Sequence, residues 1–178
     1  MTRPDTRTIQ VIQGEFHVSS SPDETLSTIL GSCVAACIWD EGKQIGGMNH
    51  FLLAQAQGNS SSRDNRYGVH AMEMLINGLL RAGARREALK AKLFGGAKIV
   101  VNLPDIGASN AEFARNFLRT EGIPCTAESL GGTQARRITF HPVSGRVRQL
   151  LIPDEGVDER TMPAQLSISA ASAGIELF

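Results

Sequence analysis

The sequence predicts an α+β domain, with mixed β-sheets and flanking helices in place of a regular alternation of strand and helix. Three observations carry that expectation. Apolar residues make up 42% of the 178 residues and charged residues 20%, a globular composition with enough material for one core. Two segments repeat their apolar residues at helical spacing. Around them lie β-branched runs punctuated by glycine, so the order reads strands, helix, strand, helix, strands.

Taken in order, Met1–Arg7 is polar and expected to fray. Thr8–Val18 (TIQVIQGEFHV) reads as a strand or a bulged strand pair interrupted by Gly14. Ser19–Pro22 is a turn cluster. Ser27–Trp39 and Gln44–Leu53 are the arms of an expected hairpin around the charged turn Asp40–Lys43. Gly31 interrupts the first arm and Gly46 and Gly47 the second, which marks bulges or close backbone approaches. Gln55–Tyr67 reads as a polar loop. Val69, Met72, Leu75, Ile76, Leu79 and Leu80 share one helical face, and Gly83 ends that helix. Arg86–Lys92 reads as a short helical turn, and Ala91–Val101 as a buried strand broken at Gly95–Gly96. The second helix opens at Ser109 as N-cap, with Glu112 as capping-box partner, and closes at Gly122. Ile123–Leu130, Arg136–His141 and Gly145–Ile152 read as strands. One domain is expected over residues 1–152, with residues 153–178 a flexible tail whose end, Ile175–Phe178, is apolar.

Lys plus Arg number 18 and Asp plus Glu 18, a formal net charge of zero. That balance argues against nucleic acid or an anionic membrane as the partner. No apolar run reaches the roughly 18 residues of a spanning helix, and Met1–Gln10 lacks a signal-peptide core. A cytoplasmic protein without membrane insertion is expected. Cys33, Cys37 and Cys125 are an odd number of thiols, as in a reducing compartment. In an extended CVAACIW segment, residues four apart lie roughly 13 Å apart. A disulfide needs Cα atoms within about 7 Å, so Cys33 and Cys37 cannot pair there.

Gly31-Ser32-Cys33 puts a thiol after two small residues, where the backbone N–H groups of Ser32 and Cys33 can face a ligand. Acyl transfer needs such a nucleophile beside donors aimed at the developing oxyanion. His50, in Gly46-Gly47-Met48-Asn49-His50, lies on the second arm of the expected hairpin and can take the thiol proton. Against these stand blander readings: a thiol packing as a small hydrophobe, and a histidine bonded to a backbone carbonyl. Cys37 and Cys125 are read as packing thiols, and His17, His70 and His141 lack the glycine-rich setting. Cys33-x3-Cys37 with His50 is no zinc spacing, and Gly95-Gly96 and Gly131-Gly132 lack the lysine and hydroxyl of a phosphate loop. No metal or organic cofactor is implied. Residue chemistry alone gives a cysteine hydrolase or acyl transferase; a papain-type peptidase fits less well, because its thiol opens a helix and CVAACIW reads as strand.

Leu30-Gly31-Ser32-Cys33-Val34-Ala35 followed by Gly46-Gly47-Met48-Asn49-His50 resembles the CheD family of chemoreceptor glutamine deamidases. Arg66-Tyr67-Gly68-Val69-His70-Ala71-Met72, Lys92-Leu93-Phe94-Gly95-Gly96-Ala97, Gly122-Ile123-Pro124 and Leu130-Gly131-Gly132 extend the likeness over roughly Thr8 to Leu151. The resemblance implies a fold similar to the catalytic domain of deamidating toxins. It also implies Cys33 as nucleophile, His50 as catalytic histidine, and a third member, normally a threonine orienting the histidine, that falls on Ser27. Ser27 keeps the hydroxyl and loses the methyl that restricts the rotamer. A second departure is Ser109, where the family commonly has arginine. The implied partners are chemoreceptor cytoplasmic helices and a CheC-type phosphatase. The implied alternative is a non-catalytic adaptor binding both.

Overall fold

The computed structural model describes residues 5–53, 61–153 and 174–178. Its elements are β1 (Arg7–Gln10), β2 (Phe16–Ser19), β3 (Glu24–Leu30), β4 (Val34–Asp40), β5 (Ile45–Asn49), α1 (Ser61–Arg81), β6 (Lys90–Gly95), α2 (Ile106–Glu121), β7 (Cys125–Leu130), β8 (Arg136–His141), β9 (Arg146–Leu151) and β10 (Ile175–Leu177). The strands form two five-stranded sheets, ordered β1-β3-β8-β9-β10 and β2-β5-β4-β6-β7. Most pairs are antiparallel; β1–β3 and β6–β7 are parallel, so both sheets are mixed, as expected for the α+β class.

The sheets face each other across one core. Leu26, Leu30, Ile138, Phe140 and Val147 come from the first sheet, and Ala35, Cys37, Trp39, Met48 and Phe94 from the second. The other face of the second sheet carries Val34, Ala36, Ile38 and Leu93 against Met72, Leu75 and Leu79 of α1 and Ala114, Phe117 and Leu118 of α2. β4 is therefore covered on both sides, and all seven of its residues are buried. A strand buried on both faces has no polar side to alternate with, which is why CVAACIW is a nearly unbroken apolar run. Gly46 and Gly47 serve the two contacts of β5. A Cβ at Gly46 would lie 2.3 Å from Pro142 O, and one at Gly47 2.8 Å from both Leu75 Cδ1 and His17 O.

Several sequence expectations need correction. Thr8–Val18 is no strand pair: β1 lies in one sheet and β2 in the other, and residues 11–15 cross between them. Ser27–Trp39 is likewise two strands in different sheets, with Gly31–Cys33 as the crossing; only β4 and β5 make the hairpin. Part of the expected polar loop is helix, because α1 begins at Ser61 with Asp64 in the first turn, where a carboxylate favours the helix dipole. α2 begins at Ile106, since the Asp105 carboxylate accepts from Ala108 N at 2.9 Å and takes the N-cap role expected of Ser109. β6 stops at Gly95, short of Val101. The expected tail boundary at residue 153 also fails at its far end. β10 pairs with β9, and the Phe178 ring packs edge-on against Phe94 with centroids 5.4 Å apart. The flexibility expected for 154–173 lies outside the described residues. Cys37 is buried as expected, whereas Cys125 is exposed at the start of β7.

Buried Asp40 closes the β4–β5 turn. Its carboxylate accepts from Arg85 N, Nε and Nη2 at 2.9, 3.1 and 3.1 Å and from Lys43 N at 3.1 Å. The Arg85 guanidinium holds the Asp40 carboxyl well below the usual carboxylate range. A depressed carboxyl stabilises the fold above its unfolded pKa of about 4 and stops doing so as pH falls through the folded value. The urea midpoints of wild type and Asp40→Asn are therefore expected to differ at neutral pH and to draw progressively closer as pH falls below about 4. A gap independent of pH contradicts the assignment.

Candidate active site

Two of the crossings between the sheets, residues 11–15 and Gly31–Cys33, come together at one end of the sandwich, beside the end of β5. Along β3 the side chains alternate, so Leu26, Thr28 and Leu30 share the face toward the inter-sheet core. Ser27 points the other way, and its hydroxyl donates to Ile138 O of the neighbouring strand at 2.9 Å. The hydroxyl that meets His50 belongs to Thr28, with Oγ1 2.8 Å from Nδ1. The expectation for Ser27 is thus corrected by one residue, and one residue in a strand is a change of face.

Thr28 Oγ1 also donates to Val11 O at 2.7 Å, while His50 Nδ1 lies 3.3 Å from the same carbonyl. A carbonyl only accepts, so the single threonine proton is committed to it. The contact between Thr28 Oγ1 and His50 Nδ1 then needs its proton from the imidazole. His50 accordingly carries its proton on Nδ1 and a lone pair on Nε2. Nε2 is buried with no hydrogen-bond partner among the described residues, so a proton there would be left without an acceptor. Burial pushes the His50 pKa below its usual value, with the bond to Val11 O acting in the opposite direction. The neutral imidazole is favoured. Its backbone is held as well: Gly14 N donates to His50 O at 2.8 Å and His50 N to Glu15 O at 3.1 Å.

Cys33 immediately precedes the facing strand, β4. Val34 and Phe51 exchange both backbone hydrogen bonds, at 3.0 and 2.9 Å, continuing the β4–β5 register beyond Cys37↔Met48. Cys33 and His50 are therefore diagonal neighbours on the core-facing side, a relation that separates Cα atoms by roughly 7–8 Å in antiparallel pairs. Cys33 is 6% exposed and His50 7%, so only a slender group can reach them. The turn under the thiol is held by its carbonyls. Gly31 O accepts from Ala97 N at 2.9 Å, Ser32 O from Asn110 Nδ2 at 2.8 Å and Cys33 O from Gly96 N at 2.8 Å. Gly95, at φ +108°, makes room for this, since a Cβ there would lie 2.1 Å from Cys33 O. Among the described residues no group of three His, Cys, Asp or Glu side chains could hold a metal ion, and no helix is long and apolar enough to cross a membrane.

Residues 52–150 match the family model described as CheD chemotactic sensory transduction. A relative from Ruegeria sp. (strain TM1040) is 52% identical over 98% of this chain and 97% of its own. One from Acidiphilium cryptum is 53% identical over 97% and 94%, and one from Rhizobium leguminosarum bv. trifolii 56% over 84% and 82%. All three are named probable chemoreceptor glutamine deamidases CheD. The chain belongs to the CheD family. Among solved structures a Bacillus licheniformis hypothetical protein, YfiH, aligns over 71% of this chain and 60% of its own at 14% identity and a TM-score of 0.41, too distant to inform the site.

Of the residues expected from this family, Cys33 and His50 share one face and Ser27 does not join them. Ser109, the second departure, lies inside α2 and lines a cavity of about 480 Å³ with Val69, Phe113 and Phe117, on the helical side of the second sheet. Sequence reasoning passed over Thr28, whose signal was the alternation Leu26, Thr28, Leu30. It also passed over the Val11 carbonyl and Asn110, for which spacing gives no signal. Asn110 is fully buried on α2; its Oδ1 accepts from Leu53 N at 2.9 Å while Nδ2 holds Ser32 O. Asn110→Ala leaves both backbone groups without that partner. It is expected to lower stability by about 2–4 kcal/mol in denaturant unfolding. A loss under about 0.5 kcal/mol contradicts this role.

Proposed function

We propose that this chain is a cytoplasmic chemoreceptor glutamine deamidase, converting receptor glutamine side chains to glutamate with release of ammonia. Cys33 is the nucleophile, His50 the general base and acid, and Thr28 with the Val11 carbonyl the pair that orients His50. The observation that carries this reading is the His50 ring: Nδ1 is tied to Thr28, and the lone pair on Nε2 is buried without a partner among the described residues, on the face that bears Cys33. The names of the relatives support the substrate.

In the first half-reaction His50 Nε2 takes the Cys33 proton and the thiolate attacks the side-chain amide carbon. The carbonyl pair moves onto oxygen, where the backbone N–H groups of Ser32 and Cys33 stabilise it. Support comes from the anchored turn. In a trans peptide the N–H points opposite the preceding C=O, so bonds on Gly31 O and Ser32 O turn those N–H groups away from α2 and Ala97. The C–N bond breaks as His50 returns the proton to the departing nitrogen, giving ammonia and a thioester. Water then attacks the thioester with His50 as base, leaving glutamate and restoring the thiol. The low exposure of Cys33 and His50 suits a side-chain amide more than a peptide backbone. The Thr28 hydroxyl beside His50 favours the enzyme over the adaptor reading. On a receptor helix each event turns a neutral residue into an anion and shifts helix packing.

Cys33→Ala is expected to abolish turnover of a chemoreceptor cytoplasmic fragment, read as ammonia release and peptide mass, with unchanged circular dichroism. Thr28→Val, which keeps shape and loses the hydroxyl, is expected to lower kcat about tenfold, the worth of one orienting hydrogen bond. Ser27→Ala is expected to turn over at the wild-type rate. Loss with Ser27→Ala and none with Thr28→Val would contradict the arrangement.

A further inference from the structure

Residues 11–15 do more than cross between sheets. Val11 supplies the carbonyl behind Thr28, and Gly14 and Glu15 bond the His50 backbone. Between them stands Gln13, exposed on the surface, with its carboxamide Oε1 3.7 Å from Cys33 Sγ. Glu15 N bonds Ile12 O at 3.0 Å, closing a tight turn that aims Gln13 over the thiol. Among the described residues, the side-chain hydrogen bond of this exposed amide is with the Cys33 thiol, which puts a polar carboxamide beside the proposed nucleophile.

We propose that Gln13 is a catalytic residue whose side-chain amide stabilises the thiolate and the oxyanion; this rests on the reading of Cys33 as nucleophile. In the resting thiol, Sγ–H donates to Oε1. Once the proton has passed to His50 Nε2, an acceptor oxygen facing sulfur is repelled. The terminal amide torsion of glutamine is broad, so the carboxamide turns over at little cost and presents its N–H₂ group instead. When the S–C bond forms and the carbonyl pair moves to oxygen, that oxygen lies one bond from the carbon under attack. A donor just beyond contact with Sγ is then within reach of it. Gln13 makes and breaks no covalent bond; it donates a hydrogen bond where charge develops, beside the backbone N–H groups of the Cys33 turn.

The test uses the full chain and a chemoreceptor cytoplasmic fragment, with kcat and KM measured for wild type, Gln13→Ala, Gln13→Glu and Cys33→Ala. Thiol alkylation by iodoacetamide against pH is followed in the first three. Gln13→Ala is expected to lower kcat at least about tenfold, with KM within about threefold. Gln13→Glu is expected to lower it further and to move the alkylation inflection to higher pH, because an anion beside sulfur disfavours the thiolate. A purely structural Gln13 would change melting temperature and leave that inflection in place. Wild-type kcat in Gln13→Ala, a loss confined to KM, or conversion of Gln13 itself to glutamate during turnover overturns the proposal. Turnover by Cys33→Ala, in contrast, brings down the nucleophile assignment on which it rests.

Discussion

The Val11 carbonyl has no proton to give, and two polar side chains converge on it. Thr28 reaches it at 2.7 Å and His50 Nδ1 at 3.3 Å, with 2.8 Å between the two side chains. That triangle has one consistent assignment of protons, in which Thr28 donates to the carbonyl, the imidazole Nδ1–H donates to Thr28 Oγ1 and the lone pair lies on Nε2. A neutral backbone group thereby does the orienting work that a carboxylate does in charged triads. With no anion behind it, the imidazole also keeps the low basicity that burial imposes.

Both sheets contribute to that triangle. Val11 and Thr28 are contributed by strands or crossings of the first sheet, while Cys33 and His50 hang on the second. Two of the changes of sheet, at residues 11–15 and 31–33, meet at the same end of the sandwich, and each leaves a short irregular stretch whose backbone is bonded by its neighbours. Val11 N bonds Ser27 O at 2.9 Å, and the carbonyls of Gly31, Ser32 and Cys33 are all occupied. Two packed cores, one between the sheets and one under the helices, keep both halves in register. Cys33 and His50 are thus held by bonded backbone and packed neighbours on both sides, the preorganisation that the proposed chemistry calls for.

The parts legible in the sequence were those with a local signature. The β4–β5 hairpin followed from Asp40–Lys43 between apolar runs, the end of α2 from Gly122 in the left-handed region at φ 70°, and the close approaches at Gly46 and Gly47 from glycine inside a strand pattern. Cys33 and His50 stood out for the same reason. What pattern could not reveal was which sheet a strand joins: β1 and β2, or β3 and β4, read as continuous because strand propensity is blind to partner. The slip from Thr28 to Ser27 came from the resemblance, which placed the family's threonine on Ser27, and along a strand a neighbour one residue away faces the opposite side. Val11 O and Asn110 act through a backbone group and a distant tertiary contact, which leave no trace in spacing.

The central claim is a proton position, and nitrogen-15 chemical shifts of the His50 ring read it directly. At neutral pH the account predicts Nδ1 protonated and Nε2 unprotonated, with Nε2 gaining its proton only on acidification. A ring with its proton on Nε2 at neutral pH would contradict it, since Thr28 would then be donating to His50 and the thiol would face a donor where it needs a base.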